Sequence, residues 1–110
     1  MEGWHGAFAS AVEKLDKNPQ QHTATLYVHG TLKVMLYAPI GEDHQIPHDR
    51  DEIYVVARGA GLFKLGDSVF PFKPGDAIFV PAGVEHRFQD FSDDLVSWVL
   101  FYGPVGGEAG

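Results

Sequence analysis

Short runs of β-branched and aromatic residues alternate with glycine and proline turns along most of this 110-residue chain. Turn signals such as Gly66 with Asp67 and Pro74 with Gly75 separate nearly all of these runs. Many short strands joined by tight turns indicate a sandwich or a closed barrel. The sequence therefore predicts an all-β protein, with strands at residues 23–28, 32–37, 53–58, 61–65, 69–72, 76–80, 86–89 and 95–102.

The segment before the first strand has apolar residues that recur at helical intervals. They are Ala7, Phe8, Ala11, Val12 and Leu15. We predict an amphipathic helix at about residues 6–17 that flanks the barrel, ended by Asn18 and Pro19. Barrel residues 22–102 follow, and the glycine-rich residues 103–110 are predicted to be a flexible tail. A chain of this length is expected to form one domain, residues 1–110.

Charge and composition argue against several classes of function. A formal net charge of −7 works against nucleic-acid binding, which needs a basic surface. No stretch approaches the about 18 apolar residues of a membrane span. The chain has no cysteine, and Met1 to Ser10 has neither the basic nor the apolar region of a signal peptide. We therefore expect a cytoplasmic protein that binds neither nucleic acid nor membranes.

Two stretches of the chain combine histidines with glycine and proline. The first contains Gly41, His44, Gln45, Pro47, His48, Glu52 and Gly59, and the second contains Gly75, Pro81, Gly83, His86 and Asp90. Imidazole nitrogens and carboxylate oxygens are the ligands that a divalent transition metal of intermediate softness prefers. His48, Glu52 and His86 are therefore candidate metal ligands, although a histidine at a strand start or a glutamate in an acidic run also has ordinary structural roles.

The spacing of His48 and Glu52 predicts a bend in the backbone between them. On a straight strand, four residues at ~3.3 Å each would separate the two side chains by about 13 Å. Ligands of one ion lie only about 3 Å apart. Residues 49–51 are the expected place for the bend, before the strand at 53–58. A helix would also bring the two side chains together, but Pro47 and the β-branched residues of that strand argue against it.

The order of these residues resembles the paired motifs of the cupin superfamily, in particular its small single-domain members. The matching order is His48, three residues, Glu52, six residues, Gly59, and then Gly75, five residues, Pro81, one residue, Gly83, two residues, His86. The resemblance implies a double-stranded β-helix, or jelly-roll barrel, here with one short N-terminal helix. It also implies that His48, Glu52 and His86 bind a divalent transition metal such as Fe, Mn, Ni, Zn or Cu.

One position departs from the family pattern. The first motif usually has another histidine two residues before the position of His48, and Ile46 occupies that place. Two alternatives follow for the ligand set. The site is either a triad of two histidines and one carboxylate with open positions, as in non-haem iron proteins, or His44 or Gln45 supplies a fourth protein ligand.

The residues beyond the ligand set identify the chemistry only in outline. If Glu52 points inward, the alternation of a strand sends Tyr54 and Arg58 the same way until a bulge intervenes. Both are therefore candidate catalytic residues, although an exposed sheet edge would explain Arg58 equally well. Tyr37 is a further candidate, on a face of the strand at 32–37 that is either exposed or lines a polar pocket. The resemblance implies a metalloenzyme of dioxygenase, isomerase or lyase type that acts on a small organic molecule. The alternative is a non-catalytic binding or sensing protein with a structural metal or none, and in either case a homodimer is expected.

Overall fold

The structure is a computed structural model that describes residues 2–17 and 20–110. Within these residues a single helix, α1 (Phe8–Asp16), precedes the strands. The strands are β1 (Thr23–His29), β2 (Leu32–Tyr37), β3 (Asp51–Arg58), β4 (Gly61–Leu65), β5 (Ser68–Phe72), β6 (Ala77–Val80), β7 (His86–Gln89) and β8 (Val96–Tyr102). The helix and strands predicted from the sequence are confirmed, whereas the predicted helix stop at Asn18 and Pro19 lies outside the described residues.

The strands form two antiparallel sheets that face each other. The larger sheet has the strand order β1-β2-β8-β3-β6 and the smaller sheet has the order β5-β4-β7. Strands distant in sequence are neighbours, because β8 lies between β2 and β3. This arrangement confirms the all-β class and the jelly-roll barrel.

Aromatic side chains fill the space between the two sheets. Phe88 on β7 lies at the centre, with its ring centroid 4.9 Å from Phe63, 5.1 Å from Tyr54 and 5.2 Å from Phe72. All three contacts are edge-to-face, the arrangement that aromatic quadrupoles favour. These rings are buried and belong to one hydrophobic cluster between the sheets.

The helix covers the outer face of the larger sheet. Ala11 and Leu15 of α1 are buried and pack with Leu36 of β2 and Val96 of β8. Because side chains alternate along β2, Leu36 lies under the helix whereas Met35 and Tyr37 face the barrel interior. The helix therefore buries one face of the sheet and leaves the other face to line a pocket.

Strand β3 directs its side chains inward only over its first part. Glu52, Tyr54 and Val56 are buried, as strand alternation predicts. The pairing of β3 with β8 then shifts register between Val56 and Arg58, and a bulge of this kind re-aims the side chains that follow. Arg58 is consequently exposed, with its guanidinium carbon 4.9 Å from the centre of the Phe8 ring. Of the two alternatives for Arg58, an inward side chain and an exposed one, the structure has the exposed one.

The glycine-rich segment 103–110 is hydrogen-bonded to the barrel through several of its residues. The Arg50 side chain donates to the carbonyl of Gly103 at 2.7 Å, and the Gly106 N–H donates to the carbonyl of Asp49 at 2.7 Å. The Glu108 N–H donates to Oδ2 of Asp51 at 2.9 Å. Composition predicted a flexible tail, but its first six residues lie along the bend that precedes β3.

Candidate metal centre

Three side chains that were predicted as metal ligands lie together where β3 and β7 begin. The candidate ligand atoms of His48, Glu52 and His86 all lie within 4.8 Å of one another. Oε1 of Glu52 is 2.8 Å from Nε2 of His86 and 3.8 Å from Nε2 of His48. The backbone bends at residues 49–50 before β3 begins, as the spacing of His48 and Glu52 required.

The orientation of His86 is fixed by the turn that precedes it. Nδ1 of His86 lies 2.9 Å from the carbonyl oxygen of Val84, which only an N–H can satisfy. The second nitrogen, Nε2, therefore faces Glu52. A hydrogen bond on the far nitrogen is the arrangement by which proteins orient a metal-binding imidazole.

Glu52 and His86 are completely buried, yet several of their polar atoms lack a hydrogen bond. Both carboxylate oxygens of Glu52 and Nε2 of His86 have no hydrogen-bond partner among the described residues, although Nε2 and Oε1 are 2.8 Å apart. When Nδ1 carries the imidazole proton, Nε2 and the carboxylate oxygen are both acceptors. Two acceptors this close in a buried place need a positive charge near them. Either a second proton on the imidazole or a metal ion supplies it, so the residues fit a metal ion.

Burial and charge act in opposite directions on the two histidines. Burial lowers the pKa of His48 below its ordinary value and outweighs the attraction of the Glu52 carboxylate. Burial also works to lower the pKa of His86, but the Glu52 carboxylate and the Val84 carbonyl outweigh it and raise the pKa overall. The more accessible His48 is therefore the histidine held neutral, the form in which an imidazole binds a metal.

The structure separates the two candidates for a fourth ligand. His44 points into solvent, where its Nε2 lies 3.3 Å from a carboxylate oxygen of Glu42, and both side chains are about four-fifths exposed. Ile46 is 73% exposed as well. Gln45 instead faces the cluster, with Oε1 at 3.2 Å from Nε2 of His48 and 2.9 Å from the hydroxyl of Tyr54.

Asp43, which no motif in the sequence singled out, is buried beside the cluster. Its carboxylate accepts hydrogen bonds from the Tyr37 hydroxyl, from the backbone and side-chain N–H groups of Gln45, and from the Phe88 N–H. The one local signal is the spacing of Asp43 and Gln45, since an aspartate often accepts the N–H two residues later in a turn. The contact with Phe88 crosses 45 positions and has no local signal.

A mostly apolar pocket of about 230 Å³ leads to the cluster. Its lining residues are Thr23, Met35, Leu36, Tyr37, Gln45, His48, Glu52, Tyr54, Val99 and Phe101. Burial raises the pKa of both Tyr37 and Tyr54 far above the ordinary value, so both hydroxyls stay protonated. Arg58, the third catalytic candidate, is not among the residues that line this pocket.

Sequence comparison identifies the family to which this barrel belongs. The family model for the cupin domain, Cupin_2, matches residues 33–102. The matched segment begins on β2 and ends on the last residue of β8, and it includes His48, Glu52 and His86. The chain is a member of the cupin family.

Curated relatives match this cupin over a little more than half of its length. An uncharacterized protein of Streptomyces coelicolor, SCO3923, is 39% identical over 62 residues, which cover 56% of this chain and 59% of that protein. Acireductone dioxygenase of Leishmania infantum is 34% identical over 73 residues, covering 59% of this chain and 21% of that enzyme. The chain thus spans only part of each of these relatives.

Solved cupin structures share the fold at low sequence identity. A cupin-2 domain protein of Shewanella frigidimarina superposes with a TM-score of 0.63 at 16% identity, covering 88% of this chain and all of that one.

Within residues 2–17 and 20–110, no helix has the length and apolar character that crossing a membrane requires.

Proposed function

We propose that this cupin is a metalloenzyme that binds a divalent transition metal through His48, Glu52 and His86 and acts on a small organic molecule. One observation carries the proposal. A buried carboxylate and a buried imidazole nitrogen stand 2.8 Å apart without a hydrogen bond, and a pocket leads to them. A site that serves only to hold the fold together is usually closed, whereas the His48 side chain is one-third exposed.

Each proposed ligand has a distinct part in the site. Glu52 supplies the negative charge and His86 is held by the carbonyl of Val84. His48 and Glu52 line the pocket, whereas His86 lies behind them. When bound, Fe, Mn, Ni, Zn or Cu would supply a Lewis acid or a centre that activates oxygen. The apolar walls formed by Met35 and Phe101 exclude water from this end of the pocket.

The size and lining of the pocket limit the substrate to a small molecule. A volume of about 230 Å³ corresponds to roughly eight water molecules. Tyr37 and Tyr54 remain the catalytic candidates. Each hydroxyl already donates its single proton, Tyr37 to Asp43 and Tyr54 to Gln45, so near the proposed metal they offer a substrate only acceptor lone pairs. A substrate with an apolar body and one or two oxygen atoms at its end fits these features. The relationship to an acireductone dioxygenase favours dioxygenase chemistry over isomerase or lyase chemistry.

Metal analysis of variants tests the proposed ligands. Protein purified without chelator is expected to contain one equivalent of a transition metal, measured by inductively coupled plasma mass spectrometry. His48→Ala and His86→Ala should lose it, because each removes one of three ligands. His44→Ala is the matched control and should keep the metal, since His44 lies in solvent. Full metal content in both ligand variants would contradict the proposal.

An oxygen electrode separates the classes of reaction. Oxygen uptake is expected with one member of a panel of acireductone, diketones, catechols and thiols, and it should be absent in His86→Ala. A panel of sugar acids, followed by product analysis, tests isomerase and lyase chemistry if no oxygen is consumed. A ligand that binds without turnover in any of these assays would favour the second candidate function.

The second candidate is a non-catalytic binding or sensing cupin, with a structural metal or none. It is favoured by the state of the tyrosines, whose raised pKa values prevent them from acting as bases at neutral pH. Among the residues that line the pocket, no other titratable side chain lies outside the proposed ligand set. The substrate panels distinguish this candidate from an enzyme.

We also propose that the chain acts in the cytoplasm as a homodimer. The support is that exposed apolar side chains, Val28 and Phe79, lie on β1 and β6, the two edges of the larger sheet. Light scattering coupled to size-exclusion chromatography should give twice the mass of the chain. A monomer mass at the concentration used for the activity assays would contradict the dimer.

A further inference from the structure

The side-chain amide of Gln45 lies between a buried carboxylate and the proposed metal ligands. Nε2 of Gln45 is 2.7 Å from Oδ2 of Asp43, and Oε1 of Gln45 is 3.2 Å from Nε2 of His48. The Tyr54 hydroxyl donates to the same Oε1 at 2.9 Å. Both ends of the amide are therefore engaged, one by Asp43 and the other by the site.

The partners of Asp43 fix which end of the amide faces the site. The carboxylate accepts from the Phe88 N–H at 2.8 Å, from the Gln45 backbone N–H at 3.2 Å and from the Tyr37 hydroxyl. A carboxylate only accepts hydrogen bonds, so the Gln45 atom that lies 2.7 Å from Oδ2 of Asp43 must be a donor, and that atom is the amide nitrogen. The reversed amide would place its carbonyl oxygen against the carboxylate, so Oε1 must point toward His48 and Tyr54.

The position of Oε1 is suited to a metal ligand. Two ligands at about 2.1 Å from one ion lie roughly 3.0 to 3.4 Å apart, and Oε1 is 3.2 Å from Nε2 of His48. Ile46, which stands where the family motif has a histidine, points into solvent. Gln45 thus supplies an inward oxygen where this chain lacks the usual imidazole.

We propose that Gln45 Oε1 is the fourth protein ligand of the metal and that Asp43 is a positioning residue that holds the amide with its oxygen inward. This inference rests on the proposed metal site. It gives a ligand set of two histidines, one carboxylate and one neutral amide oxygen. In this proposal Asp43 acts on metal binding through Gln45, whereas a residue needed only for folding would act on the whole barrel.

Titration of the metal-free full-length chain with Co²⁺ tests both parts, because the visible absorption of Co²⁺ reports its ligands independently of turnover. Gln45→Ala should weaken Co²⁺ binding and change the absorption bands. Asp43→Ala should weaken binding by about 10- to 100-fold, the usual loss when an outer partner of a ligand is removed. Asp43→Asn keeps one acceptor oxygen and should fall between wild type and Asp43→Ala. His44→Ala is the control and should bind Co²⁺ like wild type.

A double-mutant cycle separates positioning from folding. Because Asp43 acts through Gln45, the Asp43 substitution should have no further effect on Co²⁺ affinity in the Gln45→Ala background. If Asp43→Ala does not fold, the double-mutant cycle is measured with Asp43→Asn instead. Additive effects, or an unchanged affinity and spectrum in Gln45→Ala, would overturn the inference while leaving the metal site intact. If His86→Ala binds Co²⁺ as tightly as the wild-type protein does, the proposed function is overturned instead.

Discussion

Glu52 has an environment that a carboxylate does not normally tolerate without a cation. It is fully buried, and neither of its oxygens has a hydrogen bond among the residues described, although Nε2 of His86 lies 2.8 Å from Oε1. The desolvation of an unpaired buried charge opposes folding. The same desolvation strengthens the attraction between this carboxylate and a divalent ion, because less water competes for it.

Replacement of Glu52 by glutamine tests the part played by this charge. Glu52→Gln keeps the shape of the side chain and removes the charge. We expect metal affinity to fall by at least the about 10- to 100-fold seen when outer partners of a ligand are lost. Competition with a colorimetric chelator measures the affinity, and circular dichroism checks that the variant is folded.

Glu42→Gln is the matched control for this substitution, because Glu42 is exposed and, within residues 2–17 and 20–110, its carboxylate pairs only with His44. It should bind metal with wild-type affinity. Equal affinities in both variants would show that the Glu52 charge has no part in metal binding.

At the scale of the elements, one carboxylate, that of Asp51, connects the end of the bend before β3 to two other segments. Oδ1 of Asp51 accepts from the Ala82 N–H and Oδ2 accepts from the Glu108 N–H, both at 2.9 Å. These two backbone bonds lower the pKa of Asp51, with the Glu108 bond first in importance. Asp51 thereby links the start of β3 to the turn before β7 and to the C-terminal segment, and so helps to set the relative positions of Glu52 and His86.

Asp51→Ala should loosen these connections, because two backbone donors lose their acceptor. We expect a lower melting temperature, faster amide exchange at Ala82 and Glu108, and faster proteolysis after Gly103. Asp49→Ala is the control, since Asp49 is exposed and contributes its backbone carbonyl to the tail contact. Unchanged exchange at both amides in Asp51→Ala would contradict this account.

The contact of β7 with the facing strands depends on Phe88, which touches aromatic rings from both sheets. Phe88→Ala leaves a cavity at the centre of this cluster, and removal of a buried phenyl ring costs about 3–5 kcal/mol of unfolding free energy. Val69→Ala on β5 is the control, because Val69 is about half exposed and the substitution should cost less than about 1 kcal/mol. Urea unfolding followed by tryptophan fluorescence measures both values, and equal losses would contradict the central role of Phe88.

At the scale of the whole molecule, the proposed metal connects segments that are far apart in sequence. His48 precedes β3, Glu52 lies on β3 and His86 begins β7, so a bound ion joins both sheets. A ligand that binds only the folded state stabilises it by about 2.7 kcal/mol at 100 times its dissociation constant.

We therefore expect metal at 100 times its dissociation constant to raise the melting temperature of the metal-free protein by roughly 10 °C or more. A chelator should reverse the shift, and His86→Ala should show none of it. Differential scanning calorimetry measures the melting temperature of the wild-type protein with metal, of the same sample after addition of chelator, and of His86→Ala with metal. A melting temperature that does not depend on metal in the wild-type protein would contradict the proposed ligand set.

The degree to which the sequence predicted the structure differs between the strands and the site. Strand positions follow from alternation and turn residues, which are local, so all eight strands agree with the sequence to within about two residues. The inward direction of Glu52 and Tyr54 also follows from alternation. Arg58 does not, because the bulge after Val56 depends on pairing with β8.

The sequence by itself determined the barrel, the helix on its flank and the three candidate ligands, because periodicity and motif spacing are properties of neighbouring residues. Only the tertiary structure decided which of His44 and Gln45 faces the cluster, since the direction of Gln45 depends on the Asp43 carboxylate, which accepts from the Phe88 N–H on β7. Two adjacent polar residues in a loop have no periodicity to distinguish them. The hydrogen bonds of the folded barrel turn Gln45 inward and leave His44 in water.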